Sequence, residues 1–222
     1  MRALRPTAAA TARTKLPVIS KLIERHPDEQ ILVIGAYLMH KLSDNKKDVT
    51  AFFYGDGAGA AIVGASDKPG YVSCSIKADG SYHKHWGIYS GGTYEPATVE
   101  SVEAGRTKVK LVTPFPPTVN HEGWPARVRE CAANGGFEVS EIDHIIFTQV
   151  NVNSIKLVME NLGLPVEKAH YVMDKWGYMG SACLPIAFHD AIKLGKITSG
   201  MRVVFCGSGV GYNQAATCFI MP

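Results

Sequence analysis

The chain has 222 residues, 46% hydrophobic and 19% charged, which excludes a disordered protein and allows a sizeable buried core. Its formal net charge of +3, from 23 basic and 20 acidic residues, does not imply a nucleic-acid partner, and no apolar run approaches the ~20 residues that would cross a bilayer. Five widely spaced cysteines without a CxxC pair exclude a zinc knuckle or a disulfide framework and point to a reducing, cytoplasmic compartment.

The opening MRALRPTAAATART carries Arg, Ala and Thr but no acid, as a transit peptide does. No apolar segment of roughly 7–15 residues follows, which argues against a secretory signal and leaves a ragged start. Leu16, Ile19, Leu22 and Ile23 recur at helical spacing and predict a helix over 15–26, with Pro17 in its first turn. ILVIG (31–35) predicts a strand buried on both faces. The polar SDNKKD leads to AFFY (51–54), the glycine-rich GDGAG (55–59) and a further strand, AAIV (60–63). Residues 70–120 are rich in Gly, Tyr, Ser, His and Pro, and predict an excursion of short strands and loops with TPFPPT as a rigid extended piece.

Regularity returns near residue 121. A helix is predicted over 123–133, opened by Pro125 and stopped by Gly135-Gly136, then a strand over 143–148. A helix over 152–162 places Ile155, Val158, Met159 and Leu162 on one face and ends at Gly163. A short strand near 169–173 and a helix over 181–194, with Leu184, Ala187, Phe188 and Ile192, come next. Strands 202–206 and 215–221 flank GSGVGYN. This β-α-β-α-β-β order implies a mixed sheet with helices on its faces.

Several segments could carry chemistry. GDGAG lacks the Lys-Ser/Thr of a phosphate-binding loop and the following helix of a dinucleotide fold, so its glycines read as close backbone approach, with Asp56 accepting nearby amides. GSGVG is either a plain turn or a source of backbone N–H groups for an oxyanion hole. His83 and His85 form an HxH pair without an evident third ligand, so no metal site is expected. Cys183 and His189, six apart on one predicted helix, point to different sides and form no dyad. FTQVNVNSI (147–155) is a strand-to-helix junction, where α/β proteins place reactive groups, yet Thr148, Gln149 and Asn151 do not titrate near neutrality.

GDGAGAAIV, TQVN, WGYMGSACLP and GSGVGYNQAA, in this order and spacing, resemble the β-ketoacyl-acyl-carrier-protein synthase III group of the thiolase superfamily, over about residues 28–222. The resemblance implies an α/β fold, a thiolase-like αβαβα layered sandwich of two halves with mixed five-stranded sheets, the N-terminal half here being incomplete. The expected division is 1–65 as a remnant of the first half, 66–120 as the excursion and 121–222 as the second half. It also implies acyl transfer from coenzyme A or acyl-carrier thioesters, by a cysteine nucleophile with a histidine and an asparagine. The cysteine position falls near Ala9 or Ala10, the histidine position on Thr148 and the asparagine position on Tyr178, so all three depart from the pattern. Gly209 and Gly211 lie where the oxyanion donor is expected. Gln149, Asn151 and Asn153 are the substrate-binding candidates, and Gly55, Asp56, Gly57 and Gly59 the structural motif.

The resemblance thus implies a synthase III-like acyltransferase of fatty-acid or polyketide type, without a cofactor beyond its coenzyme A thioester substrate. The alternatives are a non-catalytic partner subunit and an inactive truncated homologue. The implied partners are acyl-coenzyme A, an acyl carrier protein and a second copy or homologue in a dimer, with no nucleic acid and no membrane. Thr148 and Tyr178 can donate hydrogen bonds, but Thr148 cannot act as a general base.

Overall fold

A computed structural model describes residues 31–44, 51–64, 66–68 and 70–222. The helix expected over 15–26, Ala9, Ala10 and most of SDNKKD lie outside the described residues. Strands β1 (Ile31–Leu38) and β2 (Asp56–Val63) pair antiparallel as a ribbon, with Gly35 opposite Gly59. The strand expected to be buried on both faces has only this one neighbour among the described residues, and Ile34 is 62% exposed. GDGAG is not a loop ahead of a strand: Asp56 to Gly59 already belong to β2.

The main sheet has five strands in the order β3-β9-β8-β6-β7. They are β3 (Tyr71–Ala78), β6 (His144–Phe147), β7 (Ala169–His170), β8 (Arg202–Gly209) and β9 (Asn213–Ile220). β6 runs parallel to β7 and β8, while β9 runs antiparallel to β8 and β3, giving the mixed sheet that the element order implied. β3 lies within the irregular stretch of sequence yet forms an edge of this sheet. Its pairing with β9 joins residues about 140 positions apart, Tyr71 facing Phe219 for example.

The rest of the excursion holds β4 (Trp86–Gly87) paired with β5 (Lys110–Leu111), and the helix α1 (Val99–Glu103). Thr98 and Ser101 form a reciprocal capping box at the start of α1, and Arg106 grips Glu95 through two nitrogens. α2 (Thr118–Gly135) starts five residues earlier than predicted, after Pro116-Pro117, so that Pro125 is interior to it. It ends as expected, on Gly136 in the left-handed conformation at φ 67°. α3 (Val152–Leu162) matches its prediction end to end, with Asn151 as N-cap and Gly163 as C-cap, and buries the four predicted residues. The strand expected over 169–173 is only two residues long and gives way to the short helix α4 (Met173–Trp176). α5 (Cys183–Lys193) follows, with Ala187 buried and Ile192 45% exposed, contrary to its predicted inward position.

Alternation along β6 divides the core. Ile145 and Phe147 join Trp124, Val128, Ile155, Val158 and Met159 beneath α2 and α3. Ile146 joins Cys183, Ala187, Ala191 and Val203 beneath α5. The β1–β2 ribbon lies beyond α5, where a Cβ on Gly59 would sit 2.8 Å from the Pro185 ring. The glycines of GDGAG thus serve close packing, and Asp56 accepts the His40 amide at 3.2 Å. Helices, sheet, helix and ribbon make a layered α/β fold of the kind the resemblance implies. No helix among the described residues is long and apolar enough to cross a membrane.

Candidate functional site

Thr148 directly follows β6 at the carboxyl edge of the parallel strands, the edge at which α/β sheets place ligands. It is buried. Its amide donates to the Cys206 carbonyl at 3.0 Å and its Oγ1 accepts the Ser208 amide at 3.0 Å. Gly207 makes this approach possible, since a Cβ there would lie 3.1 Å from Thr148 Oγ1 and 3.3 Å from Leu184. The glycines of GSGVG therefore lie partly within β8, and only residues 210–212 form the connection to β9.

Around Ser208 is a polar network that sequence reasoning did not anticipate. The Tyr212 hydroxyl donates to Asn120 Oδ1 at 2.7 Å and lies 3.0 Å from Ser208 Oγ, which also accepts Trp124 Nε1 at 3.3 Å. Gln214 Nε2 donates to the Val119 carbonyl at 2.7 Å. Trp124 and Asn120 from α2 and Tyr212 from the β8–β9 connection thus converge on the Ser208 hydroxyl, next to Thr148. The available signal was the Ser and Tyr set between the glycines of GSGVGYN; nothing local marks Asn120.

The other junction residues are held by backbone. Gln149 is fully buried: its Nε2 donates to the carbonyls of Phe147 (2.8 Å) and His170 (3.3 Å), and its Oε1 accepts the Val172 amide at 2.8 Å. Asn151 caps α3 through Oδ1, accepting Asn153 N at 2.9 Å and Ser154 N at 3.3 Å, and both asparagines are exposed. Gly209 and Gly211 stand at the rim beyond Ser208, and a Cβ on Gly209 would meet open space.

Tyr178 is brought to the same end of the molecule by a different route. Gly177, at φ +67°, turns the chain after α4, and Tyr178 then exchanges backbone hydrogen bonds with the GDGAG entry: its amide with Phe53 O (2.7 Å), its carbonyl with Gly55 N (2.9 Å). Its ring lies 5.8 Å from Tyr37 and 6.2 Å from Tyr54. Burial pushes its phenol well above the usual range, helped by the neighbouring Cys183, Tyr37, Tyr54 and Tyr212, so it is a neutral donor.

Cys183 opens α5 between these two positions. Backbone N–H groups of Gln149 and Leu184 favour its thiolate, but burial outweighs them and pushes the thiol up to about 11. It is 1% exposed. The proton stays on, and no nucleophile is available there at neutral pH. Native Cys183 should therefore alkylate with iodoacetamide at pH 7.5 roughly 10²–10³-fold more slowly than the unfolded thiol, as followed by mass spectrometry of timed aliquots. Labelling as fast as in urea would contradict this. Elsewhere, His83 Nδ1 lies 2.9 Å from the Gly80 carbonyl, His85 stacks on Phe115, and no metal-holding group of three or more His, Cys, Asp or Glu occurs among the described residues.

With this geometry in hand, similarity to known proteins is specific. The family model for 3-oxoacyl-[acyl-carrier-protein (ACP)] synthase III C terminal matches residues 132–220, and that for 3-oxoacyl-[acyl-carrier-protein (ACP)] synthase III matches residues 6–80. A β-ketoacyl-[acyl-carrier-protein] synthase III of Syntrophomonas wolfei is 30% identical over 205 residues, 88% of this chain and 59% of the relative. The crystal structure of the Aquifex aeolicus 3-oxoacyl-[acyl-carrier-protein] synthase III superposes with a TM-score of 0.76 at 25% identity, covering 92% of this chain and 62% of that one. The Thermus thermophilus β-ketoacyl-[acyl carrier protein] synthase III superposes at 0.81 and 24% identity, covering 93% and 64%. The chain spans about three fifths of the length of the curated relatives it matches. The two matched segments, the layered fold and the relatives agree: the chain belongs to the 3-oxoacyl-[acyl-carrier-protein] synthase III family.

Proposed function

We propose that the chain serves a 3-oxoacyl-acyl-carrier-protein synthase III-like acyltransferase, binding acyl-coenzyme A or acyl-carrier thioesters and polarising their carbonyl, with decarboxylative condensation impaired. The observation that carries this reading is the hydroxyl of Thr148, buried beside the glycine rim and accepting the Ser208 amide, which leaves its own proton to donate. Tyr178 supplies a second neutral donor and the backbone N–H of Gly209 or Gly211 a third. Fixed donors of this kind suit the oxygen of a thioester as it gains negative charge. None of them accepts a proton. A missing matched acid–base group costs about 10²–10⁴ in rate, which weighs against condensation by the family's usual route. Asn151 and Asn153, exposed at the start of α3, are the polar groups offered to the carrier arm, while Gln149 fixes the junction. No cofactor is required beyond the thioester substrate, and the setting is a cytoplasmic one.

The test is binding without turnover. Acetyl-coenzyme A should give a calorimetric isotherm with the purified chain, no coenzyme A should be released, and Thr148→Val should weaken binding roughly 2–10-fold, the worth of one hydrogen bond. Steady release abolished by alkylating Cys183 would overturn the reading. A second reading, a non-catalytic partner beside an active homologue or second copy, draws on the apolar ribbon. There Ile34, Leu38 and Ile62 are 62–68% exposed, a surface of the kind that association covers.

A further inference from the structure

The excursion brings a row of aromatic rings to the site. From Tyr178 the row runs to Tyr54 (centroids 6.2 Å), Trp86 (6.1 Å), Phe115 (6.3 Å) and Tyr212 (5.0 Å), whose hydroxyl belongs to the network beside Thr148. His85 stacks on Phe115 at 5.2 Å and 20°. All six rings of this wall are half-buried rather than fully buried, and Tyr178 also packs against the core beneath α5. Two of its polar atoms, His85 Nδ1 and Trp86 Nε1, are buried within the row and have no hydrogen-bond partner. Adjacent orphaned donors and acceptors are costly in a folded protein and call for a partner.

Resting on the proposed thioester reading, we infer that this wall is the acyl-recognition surface and selects a planar aromatic acyl group carrying a hydrogen-bonding substituent, in preference to a saturated alkyl chain. Rings stack on rings, so an aryl acyl group entering the wall exchanges ring–ring contact for equivalent contact. Its hydroxyl or carbonyl substituent engages the Trp86 N–H or the His85 nitrogen. An alkyl chain leaves both unpaired, and sites built to hydrogen-bond a ligand reject analogues that lack the matching group. Trp86 and His85 are therefore specificity-determining. The thioester carbonyl remains with the donors of the proposed function, Thr148 and Tyr178.

Three probes test this on the full chain by calorimetry: 4-hydroxybenzoyl and octanoyl thioesters of N-acetylcysteamine, and free 4-hydroxybenzamide. The hydroxyaryl thioester should bind at least about 10-fold more tightly than the octanoyl one, as loss of matched hydrogen bonds and stacking dictates. Trp86→Phe and His85→Phe should each reduce that ratio severalfold. Equal or tighter octanoyl binding, or a ratio unmoved in both variants, overturns the inference. Thioesters that bind without aryl preference leave the proposed function standing and remove the wall's role. Binding of 4-hydroxybenzamide without any thioester does the reverse, and failure of all three probes overturns both.

Discussion

Trp124→Ala should be the most damaging single substitution in the core, lowering stability by about 3–5 kcal/mol. Trp124 is fully buried, stacks on Phe147 at 5.3 Å and 29°, and fills the space between α2 and the centre of the sheet. Truncation loses the transfer free energy of the indole and leaves a cavity that stiff neighbours cannot fill. In a chain of this size each kcal/mol moves the melting temperature by about 2–4 °C, so a fall of roughly 10 °C is expected. The indole also donates to Ser208 Oγ, whose own amide is held by Thr148. Trp124→Phe shifts the balance between the two roles: it keeps most of the packing, loses the hydrogen bond and part of the ring volume, and should cost about 1–3 kcal/mol, less than Trp124→Ala. A Trp124→Ala melting temperature within a degree or two of the parent would show that α2 is not anchored as described.

Acid should destabilise the protein through His144. This residue opens β6, is 3% exposed and has an Nε2 with no partner. Burial, reinforced by the nearby His170 and Lys196, lowers its pKa from 6.5 to about 4. Between those values the unfolded chain binds a proton that the folded chain does not, so stability falls as pH falls through that window. The contribution is complete above pH 6.5, and about 3 kcal/mol is lost by pH 4. Asp190 adds to the acid loss, because His170, at 2.8 Å, and then Lys175 hold its carboxyl below the usual range. His144→Leu removes only the first contribution. Urea titrations from pH 7 to pH 4 should therefore give a shallower decline for His144→Leu than for the parent, the parent losing ground to the variant by about 3 kcal/mol over that range. Parallel curves would contradict a buried neutral His144.

The sequence revealed most where local rules agree. Helix α3 combines a four-residue apolar stripe, an Asn cap and a Gly stop, so its bounds could be read directly, and it holds Thr148 at its approach. Pro125 was less informative: a proline suits the first turn of a helix, but α2 begins ahead of it and carries it inside, where it lacks an amide to donate. β1 looked like a central strand because ILVIG is uniformly apolar, a pattern that does not itself say how many neighbours a strand has. The hardest feature was the network beside Thr148. Asn120, Ser208 and Tyr212 are up to 92 positions apart and meet only after β8, β9 and α2 have packed. The aromatic wall was equally hidden, since Tyr54, Trp86, Phe115 and Tyr178 belong to four segments without a shared period.

The account turns on two neutral donors acting on a thioester carbonyl. Isotope-edited infrared spectroscopy of a bound acyl-coenzyme A labelled with ¹³C at its thioester carbonyl reads that contact directly. Polarisation by Thr148 and Tyr178 predicts a carbonyl band at lower frequency than in water, returning toward the free value in Thr148→Val and in Tyr178→Phe. A bound carbonyl at or above its frequency in water, unchanged by either substitution, would contradict the account.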